Sequence, residues 1–116
     1  SPSVSSPDIL VVMNKPSFDK FEPKTAPGGT IFCDSTLIDK KSERNDIKAV
    51  YIPATELAEE NDLKGFANVI ILGNILKETG IFTYEDFEHY LVSSIPETKS
   101  ALIEKNKKAL SIGYNY

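Results

Sequence analysis

Three short apolar runs constrain this chain more than any other feature. They are Ile9-Leu10-Val11-Val12-Met13, Thr30-Ile31-Phe32-Cys33 and Ile47-Lys48-Ala49-Val50-Tyr51-Ile52. Each is too short for a helix and is bounded by turn residues, which is the pattern of a strand in a buried sheet. The first run follows Asp8 and is continuous enough to predict burial on both faces. Asn14-Lys15-Pro16-Ser17 turns the chain into a short helix over 17–21, and Pro23 and Ala26-Pro27-Gly28-Gly29 end it in a turn. The charged stretch 39–46 reads as a surface loop. Strands alternating with helices imply an α/β layer architecture with a mostly parallel sheet.

The second half reads as helical. Pro53 suits the first turn of a helix starting near Ala54, and Asn61-Asp62-Leu63-Lys64-Gly65 breaks it. Phe66 to Thr79 is apolar around most of its circumference, so that helix is either central or covered by a partner. Gly80 stops it. Thr83 is a helix N-cap with Asp86 three positions on, a capping-box variant, and Tyr84, Phe87 and Leu91 form the inner face of that helix. Pro96 opens the last helix, whose inner side is Leu102, Ile103, Asn106, Ala109, Leu110 and Gly113.

The chain has 116 residues, enough for one domain, and a net charge of −4 with acids and bases interleaved. It has no basic face of the kind that follows a phosphate backbone, which disfavours nucleic acid as a partner. No apolar run approaches the roughly 20 residues that span a bilayer. One cysteine, Cys33, rules out an internal disulfide and suits a cytoplasmic location. The opening Ser1-Pro2-Ser3-Val4-Ser5-Ser6-Pro7 reads as an extended lead-in or linker. Three strands are also few for a parallel sheet, so part of the sheet is expected to lie elsewhere in sequence or in another chain.

The catalytic inventory is poor. The single histidine, His89, lies mid-helix between Glu88 and Tyr90, where a solvent-facing residue is the simpler reading. Cys33 reads as a small buried hydrophobe. One Cys and one His cannot build a metal site or hold an iron–sulfur cluster. Gly28-Gly29 precedes a strand instead of opening a helix, so it reads as a plain turn and not a phosphate cradle. No catalytic and no metal-ligating residue is assigned. Polar residues do follow the three strands: Asn14, then Asp34 and Ser35, then Thr55 and Glu56. Parallel strands bring such segments to one rim, where open α/β sheets bind ligands; as caps and turn formers the same residues have a simpler explanation. Asn68 and Asn74 interrupt the most apolar helix. A buried amide must be bonded, so each is satisfied internally or aimed at a partner.

Taken in order, several stretches resemble the gamma-subunit region of the 2-oxoacid:ferredoxin oxidoreductases. These are Pro7-Asp8-Ile9-Leu10-Val11-Val12-Met13-Asn14, Pro27-Gly28-Gly29-Thr30, Ile52-Pro53-Ala54-Thr55-Glu56-Leu57-Ala58, Ala67-Asn68-Val69-Ile70-Ile71-Leu72-Gly73, and the ending with Asn106, Ala109 and Gly113-Tyr114. The resemblance implies a Rossmann-like three-layer α/β/α unit that packs beside alpha- and beta-type subunits. Such complexes oxidatively decarboxylate a 2-oxoacid, such as pyruvate or 2-oxoglutarate, to an acyl-CoA and pass electrons to ferredoxin. Thiamine diphosphate and the iron–sulfur clusters lie on other subunits or domains. The gamma region is implied to be non-catalytic alone, to bind no cofactor itself, and to help shape the coenzyme A or substrate side.

The family's glycine-rich GxGGQG segment, on an N-terminal strand-turn-helix, is not found here. Residues 1–116 are therefore expected to be a single partial domain, the C-terminal two-thirds of a gamma-type domain. Its open strand edge is expected to promote self-association. A free-standing ligand-binding or regulatory module of the same fold is the alternative.

Overall fold

The computed structural model describes residues 8–116; the expected lead-in over 1–7 lies outside the described residues. The elements run β1 (Ile9–Val12), α1 (Lys15–Phe21), β2 (Thr30–Asp34), β3 (Lys48–Ile52), α2 (Ala54–Glu60), α3 (Ala67–Thr79), α4 (Tyr84–Ser93) and α5 (Ile103–Tyr114). Short 3-10 turns occupy Glu22–Lys24 and Glu97–Leu102. This is the expected order and the expected α/β class. The chain divides into two compact units, residues 1–53 and 54–116.

In the first unit the sheet order is β1-β2-β3 and both pairings are parallel. Val12 pairs with Cys33, and Cys33 with Tyr51, so the three C-terminal strand ends lie side by side. Val12, Phe18, Ile31, Cys33 and Ile38 form a buried cluster, with Leu10, Ile47, Ala49 and Tyr51 packed against it. Alternation along a strand puts Leu10 and Val12 on that face. It puts Ile9 and Val11 on the other, where they are 40% and 43% exposed. The expectation that the first strand is buried on both faces is corrected here: among the described residues β1 lies at the sheet edge, and its Ile9 and Val11 face is half-exposed. Its apolar run is continuous, but continuity in sequence does not say how deeply each face is buried.

The turn before β2 explains its glycines. Gly28 has φ of 85° and donates its N–H to the Asp46 carbonyl at 2.6 Å. Gly29 leaves no room for a side chain, since a Cβ there would sit 2.8 Å from the Asp8 carbonyl oxygen. The connection from β2 to β3 carries no helix. Arg44 fastens it, donating to the carbonyls of Glu22 and Thr25, each at 2.9 Å, and forking onto the Asp46 carboxylate at 2.8 and 2.7 Å.

In the second unit α3 and α5 form the packed pair. Val69, Ile70, Ile71 and Leu76 of α3 are buried, as are Ala109 and Leu110 of α5. Gly73 and Gly113 let the two backbones touch: a Cβ on either would collide with a carbonyl of the other helix, Leu110 for Gly73 and Ile70 for Gly113. Gly80, at φ 63°, ends α3 as expected. Thr83 caps α4 by accepting from the Asp86 N–H at 3.2 Å. Tyr84 of α4 stacks edge-on against Tyr114 of α5, with centroids 4.9 Å apart. Two details differ from expectation. The chain after Pro96 first makes a 3-10 turn, with non-helical Lys99 inside it, before α5 begins. Leu102 therefore lies outside α5 proper and is exposed instead of on the inner side.

Candidate functional site

The rim at the C-terminal ends of the strands is the place this fold offers a ligand. Asn14 follows β1 and N-caps α1, its Oδ1 accepting from the Ser17 N–H at 2.9 Å. Asp34 closes β2 and is fully buried. Its Oδ1 accepts from the Thr36 N–H at 3.1 Å, and its carbonyl accepts from the N–H groups of Leu37 and Ile38. Ser35 donates its N–H to the Ile52 carbonyl at 2.9 Å, tying the ends of β2 and β3 together. Asn14 thus follows β1, Asp34 is the last residue of β2 and Ser35 follows it, and each also has a local structural task. Thr55 and Glu56 belong to the second unit, in the first turn of α2, where an acid suits the positive end of the helix dipole.

The two α3 amides part company. Asn68 is exposed. Asn74 is only 3% exposed; its Nδ2 donates to the Gly113 carbonyl at 3.3 Å, and its Oδ1 is buried without a partner among the described residues. Asn106, by contrast, satisfies itself by donating to the Leu102 carbonyl one turn back. His89 is exposed.

Cys33 is buried, and that burial pushes its thiol up from 9.0 to about 12, with Lys41 pulling it slightly down. Such a shift favours the protonated thiol at neutral pH, the state of a buried structural cysteine. Burial also raises the Tyr84 phenol, with the Ser111 hydroxyl opposing.

Two features escaped the sequence reading. One is a charged cleft of about 500 Å³ lined by Glu22, Lys40, Lys41, Glu43 and Arg44. There Lys40 pairs with Asp19 at 2.7 Å, and the Arg44 guanidinium holds the Asp46 carboxyl below its usual range. The signal available was that Arg44 is the only arginine in the chain. The other is an aromatic groove on α4, lined by Phe82, Asp86, Phe87 and Tyr90. Phe87, half-buried like Tyr84 and Leu91 on the inner face of α4, also lends its ring to this groove.

Comparison with known proteins gives this geometry a context. Residues 1–116 match the family described as pyruvate ferredoxin/flavodoxin oxidoreductase. The chain belongs to this family. Among its relatives is the 2-oxoglutarate synthase subunit KorC of Methanocaldococcus jannaschii, 34% identical over 115 residues, covering 97% of this chain and 60% of KorC. Another is the ketoisovalerate oxidoreductase subunit VorA of Methanothermobacter marburgensis, 31% identical over 121 residues, covering 100% of this chain and 24% of VorA. Among solved structures, the gamma subunit of a keto/oxoacid ferredoxin oxidoreductase from Geobacter sulfurreducens superposes with a TM-score of 0.81 at 26% identity, covering 93% of this chain and 62% of that one. The chain thus spans about 60% of the length of KorC.

Within this pyruvate ferredoxin/flavodoxin oxidoreductase family member, the donor set does not fit an iron–sulfur cluster. Cluster iron takes cysteine thiolates, and the one cysteine is a buried, protonated thiol. Nor do the described residues group three or more His, Cys, Asp or Glu side chains that could hold a metal ion. A divalent cation accompanying a diphosphate would therefore find no carboxylate cradle among them.

Proposed function

We propose that this chain is the non-catalytic, gamma-type portion of a 2-oxoacid:ferredoxin oxidoreductase. The observation that carries the reading is the family match over residues 1–116, together with a single cysteine that is buried. Other subunits, of alpha and beta type, supply thiamine diphosphate and the iron–sulfur clusters, and ferredoxin receives electrons through them. The complex works in the cytoplasm and yields an acyl-CoA. This portion packs against the alpha-type subunit and helps shape the coenzyme A or substrate side, with Asn14, Asp34 and Ser35 as the rim candidates. Their place beyond parallel strand ends supports that role, because open α/β sheets bind ligands there. Residues 1–116 act as part of a larger gamma-type domain, in keeping with a span of about 60% of KorC.

The test is affinity purification of the tagged protein from its native source under reducing conditions. The expected result is stoichiometric recovery of alpha- and beta-type subunits. Recovery of the tagged protein alone would favour the free-standing module. Testing 2-oxoacids one at a time on the recovered complex identifies the substrate.

A further inference from the structure

The segment Ile81 to Pro96 carries three acids, Glu85, Asp86 and Glu88, and neither lysine nor arginine. Within it, Phe82, Phe87 and Tyr90 line an open groove of about 550 Å³ with Asp86 at its edge. The Phe82 and Phe87 rings lie 6.1 Å apart, and those of Phe87 and Tyr90 6.2 Å apart. Part of this arrangement is local bracing. Phe82 precedes the cap Thr83 and meets Phe87 in the first turn, the geometry of a hydrophobic staple. Bracing does not require Tyr90, which is 68% exposed, and it leaves Phe82 58% exposed. Nor does it use the Asp86 carboxylate, which has no hydrogen-bond or ion-pair partner among the described residues; the bond to the Thr83 hydroxyl comes from the Asp86 backbone N–H.

Three aromatic rings beside a carboxylate without a partner among the described residues are complementary to one chemistry: a cation on an apolar stem. The ring faces attract it through their quadrupoles, and the carboxylate fixes its head. A guanidinium fits better than an ammonium, because it is planar, stacks on rings and is more weakly hydrated. We propose that this groove is the receptor for an arginine side chain of a partner polypeptide. A second copy of residues 1–116 does not supply it, since their one arginine, Arg44, is already committed to Asp46, Glu22 and Thr25. The inference goes beyond the gamma-type assignment and does not depend on it.

The probe is butylguanidinium, titrated into the 116-residue chain while the ring resonances of Phe82, Phe87 and Tyr90 are followed by NMR. Butylurea, similar in shape but neutral, is titrated in parallel. Saturable shifts confined to these rings are expected, with butylurea binding about tenfold more weakly. Asp86→Asn should weaken butylguanidinium about threefold and leave butylurea unchanged, and Tyr90→Leu should abolish the preference between the two. Both positions are exposed, so an unchanged unfolding midpoint verifies that each variant folds. Equal affinity for the two probes would overturn the proposal in favour of a merely apolar groove. Absence of saturable shifts would overturn it outright.

Discussion

Gly113→Ala is the most informative single substitution. An added methyl in a helix ordinarily helps, since Ala is about 1 kcal/mol better than Gly in a helix interior. Here the Cβ would overlap the Ile70 carbonyl oxygen and stand 3.0 Å from the Asn74 nitrogen. Both obstacles are backbone of α3, so no side-chain rotation relieves them and the helices must separate. Overpacking typically costs about 1–3 kcal/mol and occasionally more; a backbone-on-backbone clash belongs at or above the top of that range. Separation would also stretch the Asn74 to Gly113 hydrogen bond, already 3.3 Å long. The net loss is about 2 kcal/mol, which lowers the melting temperature by roughly 8 °C or more for a domain near 100 residues. Gly73→Ala, which drives a Cβ into the Leu110 carbonyl, should behave alike. Lys105→Ala, on the exposed side of α5, should leave the midpoint within a degree or two. Circular dichroism at 222 nm through a thermal scan is sufficient. A Gly113→Ala variant more stable than wild type would show that propensity outweighs packing and that α3 and α5 do not meet backbone to backbone.

Further expectations concern other parts of the chain. Thr83→Ala should cost about 1 kcal/mol by removing the cap on Asp86 N–H, read as faster hydrogen exchange in the first turn of α4; unchanged exchange would refute the cap. For Cys33, the unfolded thiol ionises near 9 and the folded one near 12. In that window the native state holds more protons, so its stability must fall as pH rises. Denaturant titrations from pH 8 to 11 should show a steeper decline for wild type than for Cys33→Ala, and parallel declines would contradict the burial argument. The half-open face of β1 predicts self-association at micromolar concentration in sedimentation equilibrium, weakened by Val11→Lys, because lysine blunts an exposed strand edge; a strictly monomeric wild type would refute it.

The strands, their order along the chain and the helix caps were legible because they rest on local signals. Apolar runs, Pro23, Gly28, Gly80 and Thr83 each act within a few residues. What sequence does not carry is how deeply each face of a strand is buried, so Ile9 and Val11 read as core and are half-exposed. Arg44 was read as part of a charged loop, since its partners Glu22 and Thr25 are about twenty residues away. The tight α3–α5 crossing hid for a similar reason: Gly73 and Gly113 are ordinary helix residues until the facing backbone is known. For the proposed rim, the expectation that Asn14, Asp34 and Ser35 lie at parallel strand ends rests on the alternation of elements. The aromatic groove was not legible, because Phe82 lies before the Thr83 cap, outside α4, and Tyr90 lies off the Tyr84, Phe87 and Leu91 spacing.

The central proposal is that this chain contributes structure and not chemistry to a 2-oxoacid oxidoreductase. The direct measurement is coenzyme A-dependent, 2-oxoacid-dependent reduction of a viologen dye under anaerobic conditions, made on the copurified complex and on the 116-residue chain alone. Turnover by the complex with at least one 2-oxoacid, none by the chain alone, and no stoichiometric iron in the chain are the predicted results. Turnover or stoichiometric iron in the isolated chain would contradict the account, as would a copurified assembly that oxidises no 2-oxoacid.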